Sequence, residues 1–143
     1  MQSSIPITSV ETVLIPLELL RPHEEIEWKA ALELSQRIGL IGEWTAPLAV
    51  AQGSFCVMDG HHRLAAARIL RLKRVPCVLY HYDQIPVYTR RPEIAVDSGS
   101  ILERSRSGVL LPPKSTRHVL PQSVVCAVSL ERLREDILAV KPA

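Results

Sequence analysis

The chain has 143 residues, of which 47% are hydrophobic and 22% charged, and its formal net charge is only +2. This composition is typical of a globular protein long enough to bury one core, and it predicts a single domain over residues 1–143 with its core at about 10–133. The near balance of charge argues against binding nucleic acid by bulk electrostatics, and the 4% aromatic content is low for a surface that stacks bases.

The sequence has neither an apolar run long enough to span a bilayer nor the basic and apolar blocks of a signal peptide, and this predicts a cytoplasmic protein. Its three cysteines, Cys56, Cys77 and Cys126, lie in apolar stretches and share no metal-binding spacing. We expect them to be buried free thiols in a reducing compartment.

Apolar periodicity defines the elements in the first half of the chain. Residues 10–17 predict a strand, and residues 25–38 predict a helix whose apolar face repeats every four residues. Two short apolar runs, 48–51 and 55–58, flank a Gln-Gly pair and predict a hairpin. Trp44, just before this hairpin, is either a core residue or a lid over a small ligand.

The second half begins with a helix at 60–72, rich in alanine and leucine, and a strand at 75–80 that is apolar enough to be covered on both faces. The remaining predicted elements are, in order, a short strand at 87–89, a helix at 98–107, a strand at 124–128 and a helix at 130–138.

The stretch VMDGHHRLAAARILR is the most informative, because a strand ends there at an Asp-Gly turn and a helix begins. A helix N-terminus offers unpaired N–H groups and a partial positive charge to an anion. Gly60 lets the backbone approach a ligand closely, and His61, His62 and Arg63 add donors suited to phosphate oxygens. The turn predicts a phosphate site; in the alternative interpretation Asp59 is simply a helix cap.

A second polar cluster occupies residues 114–118, Lys-Ser-Thr-Arg-His, and by itself it is as typical of a solvated turn as of a binding site. Glu24 follows His23 where a loop meets a helix, a place where glutamate commonly complements the helix dipole. A zinc site is not expected, because the adjacent His61 and His62 point in different directions and no nearby cysteine completes a ligand set.

These stretches together resemble the ParB/sulfiredoxin superfamily, in which a strand leads into a G-x-x-R turn that opens a helix and binds nucleotide phosphates. The form DGHHR, with a later PPKSTRH, is most similar to the free-serine kinase branch. The resemblance implies a compact α+β domain, a small mixed sheet with packed helices, and phosphate transfer from ATP or ADP to the hydroxyl of free L-serine. The alternative is a non-catalytic, ParB-like nucleotide-binding regulator.

The resemblance also implies a role for each polar residue. Glu24 would be the catalytic base, and Asp59 would bind Mg²⁺ or assist the transfer. The nucleotide phosphates would be held by Gly60, His61, His62, Arg63 and Lys114. The serine would be held by Trp44, Thr45, Ser115, Thr116, Arg117 and His118.

Some features depart from better-known relatives or exclude other activities. Only residues 64–113 separate the DGHHR turn from the second cluster, a shorter stretch than in those kinases, which leaves open a different acceptor or closure of the site by Trp44 and Thr45. Sulfiredoxins carry a reactive cysteine in the turn, where this chain has His61. The chain also shows no helix-turn-helix pattern after the core, which argues against a nucleic-acid partner. The sequence does not predict an oligomeric state.

Overall fold

The computed structural model describes residues 11–136. Eight strands and four helices lie within that range. In chain order they are β1 (Val13–Pro16), α1 (Trp28–Ile41), β2 (Glu43–Trp44), β3 (Leu48–Ala51), β4 (Val57–Asp59), α2 (His61–Ile69), β5 (Arg74–Tyr80), β6 (Val87–Thr89), α3 (Ser98–Ser107), β7 (Thr116–His118), β8 (Val128–Ser129) and α4 (Leu130–Leu133).

A four-stranded mixed sheet, in the order β1-β5-β3-β4, forms the centre of the domain. Strand β5 pairs antiparallel with β1 and parallel with β3, while β3 and β4 form the predicted antiparallel hairpin. Two smaller pairs, β2 with β8 and β6 with β7, lie outside this sheet. The predicted α+β fold with a small mixed sheet is confirmed.

Strand β3 is buried along its whole length because helices cover both faces of the sheet. Leu48 and Val50 belong to one apolar cluster with Leu64 of α2, whereas Ala49 belongs to a second cluster with Ile101 of α3. The alternation follows from the two-residue period of a strand. None of the helices described between residues 11 and 136 has the length and hydropathy needed to cross a bilayer.

The first helix shows where periodicity alone was imprecise. It begins at Trp28, three residues later than predicted, and continues through Gly39 to end at Gly42, which adopts φ 79° as the C-cap. Its fully buried side chains are Ala31 and Ser35, one position along from the predicted apolar face. The helix packs against α2 rather than against the sheet, so a narrow stripe of small residues is sufficient.

The C-terminal half of the chain also differs from the predicted secondary structure. The predicted strand at 124–128 is wrong apart from Val128, because this segment hydrogen-bonds to a loop: the N–H of Cys126 donates to the carbonyl of Thr45. Ser129 caps the following helix as predicted, and that helix ends at Leu133. The predicted helical residues 134–136 are not helical, whereas residues 137–138 of the predicted helix and residue 10 of the predicted first strand lie outside the described residues.

Gly60 is the residue on which the turn between β4 and α2 depends. Its φ is 110°, and a Cβ built there would lie 2.9 Å from Cγ of Leu48. Gly53, in the β3–β4 turn, has φ 92° but no atom within 4 Å of such a Cβ. A substitution at either glycine strains the backbone, but only one at Gly60 also causes a steric collision.

We predict that Gly60→Ala lowers the free energy of unfolding by about 1–2 kcal/mol more than Gly53→Ala, because both substitutions strain the backbone but only the first also collides with the core. Urea denaturation of both variants and the wild-type chain measures the difference. Equal destabilisation by the two variants would contradict this account of the turn.

Candidate active site

The N-terminus of α2 is open to an anion. Its N-cap is Gly60, and no side chain of the described residues caps it. The interpretation of Asp59 as the cap is therefore wrong: its carboxylate is 60% exposed and forms an ion pair with Arg63 at 3.3 Å. The first N–H groups of the helix are left to bind a ligand.

The paired histidines fasten the loop that precedes α1. The N–H of His23 donates to Nε2 of His61 at 3.0 Å, and the N–H of Glu27 donates to Nε2 of His62 at 2.9 Å. Burial lowers the pKa of His61 to about 3, so this ring is neutral at physiological pH. Each ring keeps only Nδ1 as a donor for a phosphate.

Arg63 has a similar positioning contact. Its guanidinium donates to the carbonyls of Ala46 and Pro47 at 2.8 and 2.7 Å, which fixes the loop leading into β3. Because it also contacts Asp59, the side chain joins the turn, this loop and the open helix end. Arg63 therefore has fewer free N–H donors for a phosphate than the motif alone indicates.

Glu24 lies in a loop held between β4 and a later segment. The residues on either side of it, His23 and Glu25, form backbone hydrogen bonds with Leu111, and the Glu24 carboxylate is buried. Oε1 accepts the N–H of Lys114 and Oε2 accepts the N–H of Thr116, each at 3.0 Å, and the Thr116 hydroxyl also donates to Oε2. Lys114 adopts φ 57°, and this left-handed conformation turns its N–H toward Glu24.

Burial by itself raises the pKa of the Glu24 carboxyl. The His23 ring, 3.5 Å away, and the hydrogen bond from Thr116 outweigh this effect and lower the pKa to about 2. Glu24 is therefore a carboxylate at neutral pH, held in one orientation by backbone donors. Such a group is rigid and charged, which suits it to orient an incoming hydroxyl.

His23 is a site residue to which the sequence assigned no role. Its ring is fully buried, with Nδ1 2.8 Å from the carbonyl oxygen of Val57 and Nε2 2.9 Å from Oγ1 of Thr116. It also lies 3.5 Å from the Glu24 carboxylate. The only sequence signal was its position directly before Glu24.

Strand β7 presents the second polar cluster with a two-residue period. Thr116 and His118 face inward, whereas Arg117 is exposed on the opposite side. Arg117 therefore points away from Thr116 and His118, and its contact with the substrate stays a prediction. Ser115 is completely buried and donates to the carbonyl of Pro112, which gives it a structural role instead. Nε2 of His118 lies 2.5 Å from the hydroxyl of Tyr82.

The two residues expected to close the site differ in their exposure. Trp44 is 1% exposed, belongs to the apolar core and donates its indole N–H to the carbonyl of Ala46 at 2.8 Å. Its alternative interpretation as a core residue is confirmed. Thr45 is exposed, and its carbonyl holds the segment at Cys126.

Two cavities meet at Asp59 and Arg63. The smaller, about 240 Å³, lies at the open end of α2, and its polar lining includes Glu24, Arg90, Lys114 and Thr116. The larger, about 450 Å³, is lined by β-strand side chains and the segment 120–124, with His118 in its wall. Arg90 was not predicted, because no motif marks it.

Three residues that commonly bind metals, His23, Glu24 and His61, have potential ligand atoms within 4.8 Å of one another. Those atoms already accept or donate hydrogen bonds within the protein, so the group is a satisfied network. The exposed carboxylate of Asp59 is a better match to Mg²⁺, which prefers oxygen ligands and retains much of its water.

Comparison with known proteins relates this arrangement to characterised enzymes. The ADP-dependent L-serine kinase SerK of Thermococcus kodakarensis is 31% identical over 106 residues, which cover 70% of this chain and 44% of that protein. The ATP-dependent L-serine kinase of Staphylothermus marinus is 34% identical over 105 residues, covering 69% and 42%. The chain thus spans less than half the length of these curated relatives. No protein-family model matches it.

Among solved structures, a free serine kinase in complex with AMP superposes with a TM-score of 0.79 at 20% identity, over 93% of this chain and 98% of that one. C-terminally truncated SbnI from Staphylococcus aureus gives 0.77 at 16% identity, over 87% and 90%. The fold is therefore that of the free serine kinase and of SbnI. In sequence, the chain is similar to the L-serine kinases over about 70% of its length, as the resemblance of the DGHHR and PPKSTRH segments predicts.

His118 provides a test of the buried network through the pH dependence of stability. Burial and the nearby His23 lower the pKa of His118 to about 4, whereas an unfolded histidine titrates near 6.5. As pH falls from 6.5 to 4, the unfolded chain takes up a proton at His118 that the folded chain does not, and stability is lost.

We predict that His118→Gln reduces the slope of unfolding free energy against pH in this window by about 1.4 kcal/mol per pH unit. Urea denaturation at several pH values measures it. His81, which is exposed, supplies the control, since His81→Gln should leave the slope unchanged. Parallel curves for wild type and His118→Gln would show that His118 titrates normally in the folded chain.

Proposed function

We propose that this chain is a free L-serine kinase that transfers the terminal phosphate of ADP or ATP to the serine hydroxyl. A bond forms between the serine oxygen and the terminal phosphorus, the bond from that phosphorus to the bridging oxygen breaks, and the serine proton passes to Glu24. The observation that carries the proposal is the buried, backbone-held Glu24 carboxylate, which lines the same cavity as the open N-terminus of α2.

The phosphates would bind at the N-terminus of α2. Gly60 allows close approach, and Nδ1 of His61 and of His62 would add donors to the helix N–H groups. Arg63, Arg90 and Lys114 line the same cavity and would balance the negative charge. Lys114 Nζ is exposed and 3.3 Å from a carboxylate oxygen of Glu27, from which it can turn to a ligand.

Asp59 lies at the border of the two cavities, where a metal-bound nucleotide would present its phosphates. Mg²⁺ bound there would neutralise phosphate charge. The amino acid would lie between Glu24 and the larger cavity, in reach of Thr116 and His118. These two inward-facing side chains support the substrate position better than the other residues that the sequence nominated.

Glu24→Gln should lower the rate of O-phosphoserine formation by at least about 100-fold, because the amide cannot accept the serine proton. Asp59→Asn should also lower it strongly. Purified chain is incubated with Mg²⁺, L-serine and either ADP or ATP, and the product is followed by mass spectrometry. Glu25→Gln, an exposed neighbouring change, is the matched control and should retain wild-type activity.

The same assay distinguishes a kinase from the alternative, a non-catalytic nucleotide-binding regulator. If the wild-type chain binds nucleotide in calorimetry but forms no O-phosphoserine with either donor, the kinase proposal is wrong and the chain is a nucleotide-binding regulator or uses another acceptor.

Two substitutions at Lys114 test the role of its side chain separately from the role of its backbone conformation. Lys114→Gly removes Nζ but keeps the N–H bond to Glu24 and suits φ 57°, whereas Lys114→Ala removes Nζ and keeps the strain. We predict that both variants raise the KM for nucleotide by about tenfold, the loss of one charged contact to phosphate, with kcat largely preserved. Lys114→Gly should also be the more stable in urea. A fall in kcat without a change in KM would exclude the phosphate role.

A further inference from the structure

The contacts around His23 allow its hydrogens to be counted. The Nδ1 contact to the Val57 carbonyl needs a hydrogen on nitrogen, since a carbonyl can only accept. The contact between Nε2 and Thr116 Oγ1 needs a second hydrogen, and the contact between Thr116 Oγ1 and Glu24 Oε2 needs a third. A neutral imidazole and a hydroxyl supply only two. One further proton must lie on His23 or on Glu24.

The surroundings of Glu24 decide which group holds that proton. Both carboxylate oxygens accept backbone N–H groups, from Lys114 and from Thr116, and these contacts favour the ionised form. An ionised Glu24 accepts the Thr116 hydroxyl hydrogen, so Oγ1 can only accept from Nε2 of His23. The ring then donates from both nitrogens.

We propose that His23 is an imidazolium ion in the resting protein, linked through Thr116 to the Glu24 carboxylate, and that it positions Glu24 and lowers its affinity for protons. His23 does not face either cavity, so it acts through Glu24 and not on the substrate. The protonation of His23 stands on the contacts alone, whereas its kinetic consequence rests on the proposed kinase function.

The other titratable groups around His23 do not compete for this role. The His61 ring lies 4.4 Å away and the His118 ring 5.6 Å away between centroids, and burial keeps both rings neutral by lowering the pKa of each. The thiol of Cys56, 3.9 Å from Nδ1, is neutral because burial raises its pKa to about 11. Beyond His118, burial also raises the pKa of Tyr82. Glu24 is thus the anion that stabilises the His23 cation.

The protonation state can be measured directly on the full chain. Long-range ¹H–¹⁵N correlation spectra of ¹⁵N-labelled protein at pH 7 report the protonation of both ring nitrogens, and proximity to the Thr116 methyl group assigns His23. We expect both nitrogens to carry hydrogens in the wild type and in Glu25→Gln, and one to be lost in Glu24→Gln. A singly protonated His23 in the wild type, or one insensitive to Glu24→Gln, overturns the proposal.

The kinetic consequence has its own readout. His23→Gln keeps a donor for Thr116 without the charge, so Glu24 should bind protons more readily and the acid limb of the kcat profile should move up by about one pH unit or more. Thr116→Val, which removes the bridge, should move it in the same direction and serves if His23→Gln does not fold. An unshifted limb in both variants would overturn the positioning role. If no kinase activity is found, the spectra still decide the protonation state.

Discussion

The carboxylate of Glu24 joins two parts of the chain that lie about 90 residues apart in sequence. It accepts the N–H of Lys114 and of Thr116, and so fixes the segment before β7 against the loop that follows β1. The same loop is bound from the other side by His61 and His62 of α2. The geometry of the candidate site depends on this one acidic side chain, which is also the proposed proton acceptor.

Two residues that line the smaller cavity have positive φ, Gly60 and Lys114. The first leaves the end of α2 open, and the second directs an N–H at Glu24. Strain of this kind costs of order 1–3 kcal/mol for a residue other than glycine, and persists where surrounding contacts enforce it. The fixed donors and the open helix end suit phosphoryl transfer, which depends mainly on positioning and charge.

The sequence was sufficient for the fold, through local patterns and the family resemblance. Continuous apolar runs identified β3 and β5, start and stop signals identified α3, and the Asp-Gly turn identified the start of α2. The boundary of α1 and the segment at 124–127 were missed, since loop contacts with distant residues determine them.

The roles of individual side chains were less predictable for the same reason. The residue types of His61, His62 and Arg63 suit phosphate, but their contacts with two loops become visible only in three dimensions. No strand was predicted at 116–118, so the two-residue period of β7, which turns Arg117 outward, could not be applied. His23 carries no motif of its own, and its importance follows from burial beside Glu24.

The central claim is that Glu24 and the N-terminus of α2 face one reacting phosphate. The most direct test is a crystal structure of the Glu24→Gln chain with ADP and L-serine bound. We predict the terminal phosphate at the first N–H groups of α2 and the serine hydroxyl within hydrogen-bond distance of residue 24. A nucleotide bound elsewhere, or a serine hydroxyl directed away from residue 24, would contradict the account.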